Sequence, residues 1–143
     1  MPKTWLVPDS APARSRAAPT PFTCRQTGDG LDAAWIYVAG ELDPATAPQL
    51  DRTLRNTGAG VGLVVLDLRE LTFLDSAGVH VIMDAGIRLR QAGRRIVVVR
   101  APRQVDNVFT LLGVTDEIEL LDLAPAQPAV QALLHLDRRP PAT

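Results

Sequence analysis

At 143 residues and 46% hydrophobic, the chain is long enough for one globular domain with a real core. Its formal net charge of −1 exerts no long-range pull on nucleic acid or on an anionic membrane. The single cysteine, Cys24, excludes an internal disulfide and a cysteine-rich metal site, and no run approaches the roughly 20 apolar residues of a membrane span. The start, Met1-Pro2-Lys3-Thr4-Trp5-Leu6-Val7-Pro8, lacks the apolar run of a secretory signal, so a soluble cytoplasmic protein without a cofactor is expected.

Residues 1–20 scatter Pro2, Pro8, Pro12 and Pro19 among Ala, Ser and Arg, a composition that cannot build a core and predicts a disordered arm. Trp5-Leu6-Val7 is its only apolar cluster, and deletion of the arm is expected to leave the thermal midpoint nearly unchanged. Phe22 to Gln26 alternates weakly, as an edge strand does, with Cys24 a small core or edge-strand residue. Gly28-Asp29-Gly30 supplies a turn. Ala34-Trp35-Ile36-Tyr37-Val38-Ala39 is aromatic and β-branched and predicts the second strand of an antiparallel hairpin. Gly40-Glu41-Leu42-Asp43-Pro44 then enters a helix. Asp43 as N-cap with Pro44 at the first helical position is one reading. Pro48 complicates it, because inside a helix it loses a hydrogen bond. The alternative is Thr46 as N-cap with Gln49 completing a capping box. Either way Ala47, Leu50 and Leu54 face the core, and residues 56–60 end the helix.

The stretch from Leu63 to Val79 reads as a buried strand, a short loop and the start of a helix. Val64 to Leu66 is a continuous apolar run, as in a strand covered on both faces, and Asp67 falls where the strand would stop. Asp75-Ser76 offers side-chain oxygens at a helix start. From Gly78 the period is helical, which predicts a helix from about residue 77 to 92: Val79, Ile82, Met83, Gly86 and Leu89 share one face, and His80, Asp84, Arg88 and Gln91 the other. Gly93 suits a C-cap, and Ile96 to Val99 is another buried strand. Pro102 opens a third helix with Val105, Val108, Phe109 and Leu112 in phase, closed by Gly113. Ile118 to Leu121 is a last short strand. A final helix is expected from Pro125 to about Leu136, apolar at Val130, Leu133 and Leu134, before a flexible tail over 138–143. The order β-β-α-β-α-β-α-β-α predicts an α/β domain over 21–137, with a mixed sheet: a leading antiparallel hairpin strand, then parallel strands with right-handed crossovers.

Catalytic constellations are missing from this pattern. A nucleophile elbow needs glycine two residues before the serine, and Leu74 stands there. His80 lies four residues after Ser76 on the exposed helix side with no separate acid to orient it. Gly58, Gly60 and Gly62 precede a strand instead of following one, so they form no dinucleotide fingerprint. No His/Cys/Asp set has metal-ligand spacing. A protein without catalytic activity is the expectation.

Four segments, taken in order, carry a resemblance. Gly40-Glu41-Leu42-Asp43-Pro44-Ala45-Thr46-Ala47-Pro48-Gln49-Leu50 resembles the first-helix signature of the STAS domain (sulfate transporter and anti-sigma factor antagonist). Leu66-Asp67-Leu68 through Phe73-Leu74-Asp75-Ser76-Ala77-Gly78 is similar to that family's phosphorylation loop, with its Asp-Ser-x-Gly core. Arg90 to Arg95 and Val108 to Gly113 look like bacterial members, and the match covers roughly residues 22–123. The resemblance implies a stand-alone anti-anti-sigma factor. Such a protein binds an anti-sigma factor that is also a serine/threonine kinase, and so releases the sigma factor. The kinase phosphorylates the loop serine, here Ser76, the phosphorylated form lets go, and a serine phosphatase restores it. Asp43, Asp75, Ser76, Ala77 and Gly78 are the partner-binding residues so implied.

Other readings stand beside this one. A serine at a helix start is commonly only an N-cap, and Asp43 is first of all a cap, with partner contact secondary. A STAS scaffold without a switch, in a sensory assembly or a lipid-transport complex, is a second function class. A ligand binder is a third, since a helix N-terminus after a strand can hold a phosphate.

Overall fold

Five strands form one sheet in the order β1-β2-β3-β4-β5, the order of the sequence itself. The computed structural model describes residues 20–28, 32–58 and 60–136, the side chain of His135 excepted. The predicted arm up to Pro19, the Asp29-Gly30 turn and the 138–143 tail lie outside the described residues.

β1 (Thr23–Gly28) pairs antiparallel with β2 (Ala33–Leu42), from Thr23↔Ala39 to Gly28↔Ala34, as the hairpin reading expects. β3 (Leu63–Leu74), β4 (Arg95–Val99) and β5 (Leu120–Leu121) then add parallel, each beside the last. Because every crossover advances in the same direction, right-handedness sends α1 (Ala47–Arg55), α2 (Ser76–Gln91) and α3 (Arg103–Leu111) to one face of the sheet. The main core lies under them: Ile36, Val38, Leu66 and Leu68 from the strands meet Leu50, Leu54, Val79, Ile82, Leu89 and Phe109 from the helices.

β3 differs from expectation. It runs for 12 residues without an intervening loop, and Asp67 sits buried within it instead of ending it. The reason is β2, which continues alongside and supplies hydrogen-bonding partners to a segment that looks loop-like in isolation. Two register shifts, between Tyr37 and Ala39 and between Gly40 and Glu41, each leave one extra residue on β3. A bulge of this kind resets the two-residue alternation. Leu68, Leu71 and Leu74 therefore all reach the helical core although they are spaced by three.

The helix ends follow local rules. Asp75 caps α2, one residue earlier than the expected start, and α2 closes on Gly93 at φ 74°. There Arg94 N–H donates to Leu89 O at 2.8 Å and Gly93 N–H to Arg90 O at 3.0 Å, a Schellman closure. Val105 and Phe109 of α3 are buried as expected, whereas Leu112 is its C-cap residue and 41% exposed.

The second face of the sheet is covered by the C-terminal segment, and here the sequence reading needs correcting. Instead of a helix from Pro125 to Leu136 there is a turn, a 3-10 turn over Ala129–Gln131 and one helical turn, α4 (Ala132–His135). Pro128 has no N–H to donate to a helical ladder, so a helix begun at Pro125 cannot run through it. The buried contacts are Ala129 and Ala132, packed on Ala33, Trp35, Val65 and Val99, with Leu133 partly buried beside them. Val130 and Leu134 point outward, 51% and 73% exposed. Small side chains let this segment lie close on the sheet. Arg69 pins its start: Nη1 donates to Ala124 O at 2.8 Å and Gln127 O at 2.6 Å, while Nε and Nη2 hold the Asp67 carboxylate. The hydrogen bond to Asp67 pushes the Arg69 pKa further up, so the guanidinium stays charged.

Candidate functional site

The strand ends of β2 and β3 stand side by side, Leu42 paired with Leu74, so the next residues, Asp43 and Asp75, emerge on the same rim. Asp75 N–H donates to Leu42 O at 3.2 Å and ties the two loops together. Its backbone is extended, with φ −125° and ψ −173°, as an N-cap requires, and its Oδ1 accepts from Ala77 N–H at 2.9 Å. Val79 N–H reaches Asp75 O at 3.3 Å. Asp75 therefore does the capping that the sequence left shared between Asp75 and Ser76. Ser76 becomes the first helical residue. Its side chain is exposed, and its hydroxyl makes no hydrogen bond among the described residues.

Gly78 fixes how close this helix start comes to the sheet. A Cβ built there would lie 2.5 Å from Leu42 Cγ, 2.6 Å from Leu42 Cδ2 and 2.9 Å from Leu74 Cδ1. Only glycine lets the first turn of α2 seat on those two leucines. Ala77 is partly buried against the main core. Of the motif residues, then, Asp75 caps, Ala77 and Gly78 seat the turn, and Ser76 alone turns its side chain to solvent.

Asp43 is brought to the same rim but is spent locally. Its Oδ1 accepts from Ala45 N–H at 2.9 Å and Thr46 N–H at 3.1 Å. Thr46 is the nominal N-cap of α1 yet makes no capping bond; its hydroxyl donates to Glu41 O at 2.7 Å and accepts from Asp43 N–H at 3.0 Å. Neither alternative reading of this helix start is complete, because the carboxylate of Asp43 closes a turn and α1 begins only at Ala47. His80 is exposed, and no hydrogen bond joins it to an acid among the described residues.

Three side chains at this rim were missed by chemistry-led reading: Glu41, Glu70 and Phe73, all exposed, Phe73 by 46%. They share the sheet face opposite the three helices because of the two bulges, for which the sequence carries no periodic signal. Further down the same face lies a cavity of about 270 Å³ lined by Thr23, Arg25, Tyr37, Asp67, Arg69 and Glu70 among others. Arg25 lies over the Tyr37 ring at 4.6 Å. Among the described residues no group of three His, Cys, Asp or Glu could hold a metal ion, and no helix is long and apolar enough to cross a membrane.

With that geometry in hand, the chain can be set beside known proteins. The family profile described as "Mlab, STAS domain" matches residues 28–123. The anti-sigma-B factor antagonist of Listeria monocytogenes serovar 1/2a is 34% identical over 86 residues, covering 59% of this chain and 75% of its own length. Among solved structures, an anti-sigma factor antagonist from Mycobacterium paratuberculosis aligns with a TM-score of 0.67 at 24% identity, over 82% of this chain and 97% of that one. The anti-sigma factor antagonist SpoIIAA in its unphosphorylated form aligns at 0.63 and 18%, over 81% of this chain and 100% of that one. The phosphorylated form of the Bacillus cell fate determinant SpoIIAA aligns at 0.61 and 17%, over 79% and 98%. At these identities the solved structures speak for the fold, which they share.

Proposed function

The chain belongs to the STAS domain family, and on that premise we propose that it is an anti-sigma factor antagonist switched by phosphorylation at Ser76. It binds an anti-sigma factor that is also a serine/threonine kinase and thereby frees the sigma factor; phosphorylation of Ser76 by that kinase ends the complex, and a serine phosphatase restores it. Asp43, Asp75, Ala77 and Gly78 take part by shaping the contact surface, and no residue of this chain does chemistry, because the partner holds the nucleotide. The observation that carries the reading is Ser76 itself: an exposed hydroxyl without a partner among the described residues, on the first residue of a helix whose cap is supplied by its neighbour. The likeness to the Listeria antagonist supports the partner class.

The position suits a switch physically. A phosphate at Ser76 would add about −1.5 to −2 charges. It would do so at a helix N-terminus, where backbone N–H groups favour an anion, so the domain need not unfold to accept it. A partner surface closed around a neutral hydroxyl would have to desolvate that phosphate, and a penalty of only ~2.8 kcal/mol weakens binding about a hundredfold. The test is titration of Ser76→Ala and Ser76→Asp against the purified kinase, with peptide mapping of phosphate on protein isolated from its native cell. Ser76→Ala is expected to bind and resist phosphorylation, and Ser76→Asp to fold and bind weakly. Phosphate mapping to the exposed Thr72, or two variants that bind like wild type, would place the switch elsewhere.

A further inference from the structure

The C-terminal segment that covers the second face of the sheet packs on Ala33, Trp35, Val65 and Val99, in the lower part of the strands. Among the described residues none covers the last rungs of β2 and β3, where Glu41, Glu70 and Phe73 are exposed. There Phe73 stands opposite Glu41, its register partner, on the outward face; Glu70 and Thr72 beside it are exposed, and Ser76 follows three residues on. Single exposed apolar side chains are ordinary on protein surfaces. Phe73 differs in its setting: it is 46% exposed, it pairs across the ladder with Glu41, Glu70 precedes it on β3, and Asp43 and Asp75 follow the ends of the two strands.

Two described cations close to that rim are engaged: Arg69 holds Asp67 and two carbonyls, and Arg25 lies over the Tyr37 ring. Along the rim at the β4 end, Arg100 is paired with Asp106 and Asp122, and Arg103 is exposed at the start of α3. The opposite end of the molecule is arginine-rich: Arg52 and Arg55 in the last turn of α1, Arg88 and Arg90 in the last turn of α2, then Arg94 and Arg95 at the start of β4. That end is mixed in sign, since Arg55 pairs with Asp51 and Arg95 with Glu119, and Asp116 and Glu117 line one cavity with Arg90.

We propose that this rim is a docking surface in which Phe73 is the apolar anchor and Glu41, Asp43, Glu70 and Asp75 form the charged surround. The partner it fits is a protein surface with an apolar pocket ringed by arginine and lysine. The inference rests on the Ser76 reading above and sharpens it. An aromatic anchor governs how long a complex lasts, whereas rim charges govern how fast it forms. The acidic rim and the basic partner attract one another, so a phosphate on Ser76 adds charge of the sign that already steers the encounter. Phosphorylation therefore acts after contact, by obstructing closure around Ser76, and shortens the lifetime of the complex without slowing its formation.

Stopped-flow measurement of association and dissociation with the purified anti-sigma factor separates these effects. Wild-type kon is expected to fall about tenfold between about 0.1 and 1 M salt, as the screening length drops from ~10 to ~3 Å. Phe73→Ala is expected to raise koff at least about tenfold with kon within about twofold. The double change Glu41→Gln with Glu70→Gln is expected to lower kon several-fold and leave koff nearly alone. Ser76→Asp is expected to raise koff with kon unchanged or faster. All four positions are exposed, and an unchanged thermal midpoint confirms that each variant is folded. The inference is overturned if Phe73→Ala dissociates like wild type, if kon is insensitive to salt, or if Ser76→Asp slows association. A wild-type protein that binds no anti-sigma factor overturns the functional reading itself, a result distinct from any of these.

Discussion

Two neighbouring strand ends in this protein begin alike and finish differently. β2 and β3 stop in register, and each is followed at once by an aspartate whose carboxylate takes the N–H two residues on, Ala45 in one case and Ala77 in the other. After Asp75 the helix starts immediately. After Asp43 the chain makes one turn, with Ala47 N–H on Asp43 O at 2.8 Å, and is then interrupted. The cause is Pro48, which has no N–H to give to the carbonyl of Pro44, so the ladder restarts at Ala47. The first loop uses its hydroxyl: Thr46 Oγ1 is bonded to Glu41 O and Asp43 N–H. The second loop spends only its carboxylate and leaves the hydroxyl of Ser76 without a partner among the described residues. A hydroxyl bound into a turn is structure; one left over on a rigid turn is available to another molecule.

The contrast can be broken most forcefully through the seating of α2. Ile82 is buried at 1% exposure under that helix, and Ile82→Ala is expected to cost roughly 2–5 kcal/mol in denaturant titration. Arg88→Ala, on the other side of the same helix, is expected to cost under about 1 kcal/mol. Equal losses would mean that α2 is rotated from the phase described.

Gly78→Ala tests the close approach itself. The added methyl meets Leu42 and Leu74, so a destabilisation of about 1–3 kcal/mol is expected, against almost none for the same substitution at exposed Gly58, which has nothing within 4 Å. A fully stable Gly78→Ala would show that α2 can lift off without penalty.

Removing the two aspartates sharpens the comparison. Asp75→Ala and Asp43→Ala are each expected to lose about 1 kcal/mol, the usual worth of a capping carboxylate. Only Asp75→Ala should loosen the turn that carries Ser76, seen as faster amide exchange at Ala77 to Val79. The smallest effect is expected at Ser76. Ser76→Asp places a carboxylate on the first helical residue and should leave stability unchanged or raise it by about 0.3–1 kcal/mol at low salt. A marked loss in that variant would mean that the serine hydroxyl has a structural task.

The rim also shows where sequence reasoning runs short. Ser76 was legible, because Asp-Ser before an apolar helical period marks a helix start and a helix start displays its first side chains. That Asp75 would do the capping and leave Ser76 unengaged was not, since either side chain is chemically able to accept the N–H. Phe73 reads in the sequence as one more apolar residue of the central stretch, and nothing local says that it faces solvent. The C-terminal segment was mis-phased for a related reason. Val130 and Leu134 have the hydrophobicity of core residues, but the sheet face beneath them accepts only the small side chains of Ala129 and Ala132 at close range.

What the sequence determined by itself is everything carried by short-range chemistry. Apolar runs of the right length made strands, the 3.6-residue period made α2 and α3, Gly93 ended a helix through its positive φ, and the alternation of strands and helices left one right-handed way to wind them. What only the tertiary structure decided depends on two segments meeting. β2 had to lie beside residues 68–74 before they became strand, with bulges that aim Leu71 and Leu74 inward and leave Phe73 outside. Leu42 and Leu74 had to converge before Gly78 became indispensable. Arg69 had to find Asp67 on its own strand and two carbonyls more than 50 residues away before the second face was closed. Local preferences are set by a few covalent neighbours and can be read in order; burial and exposure are set by whichever surface arrives, and the chain acquires that surface only by folding.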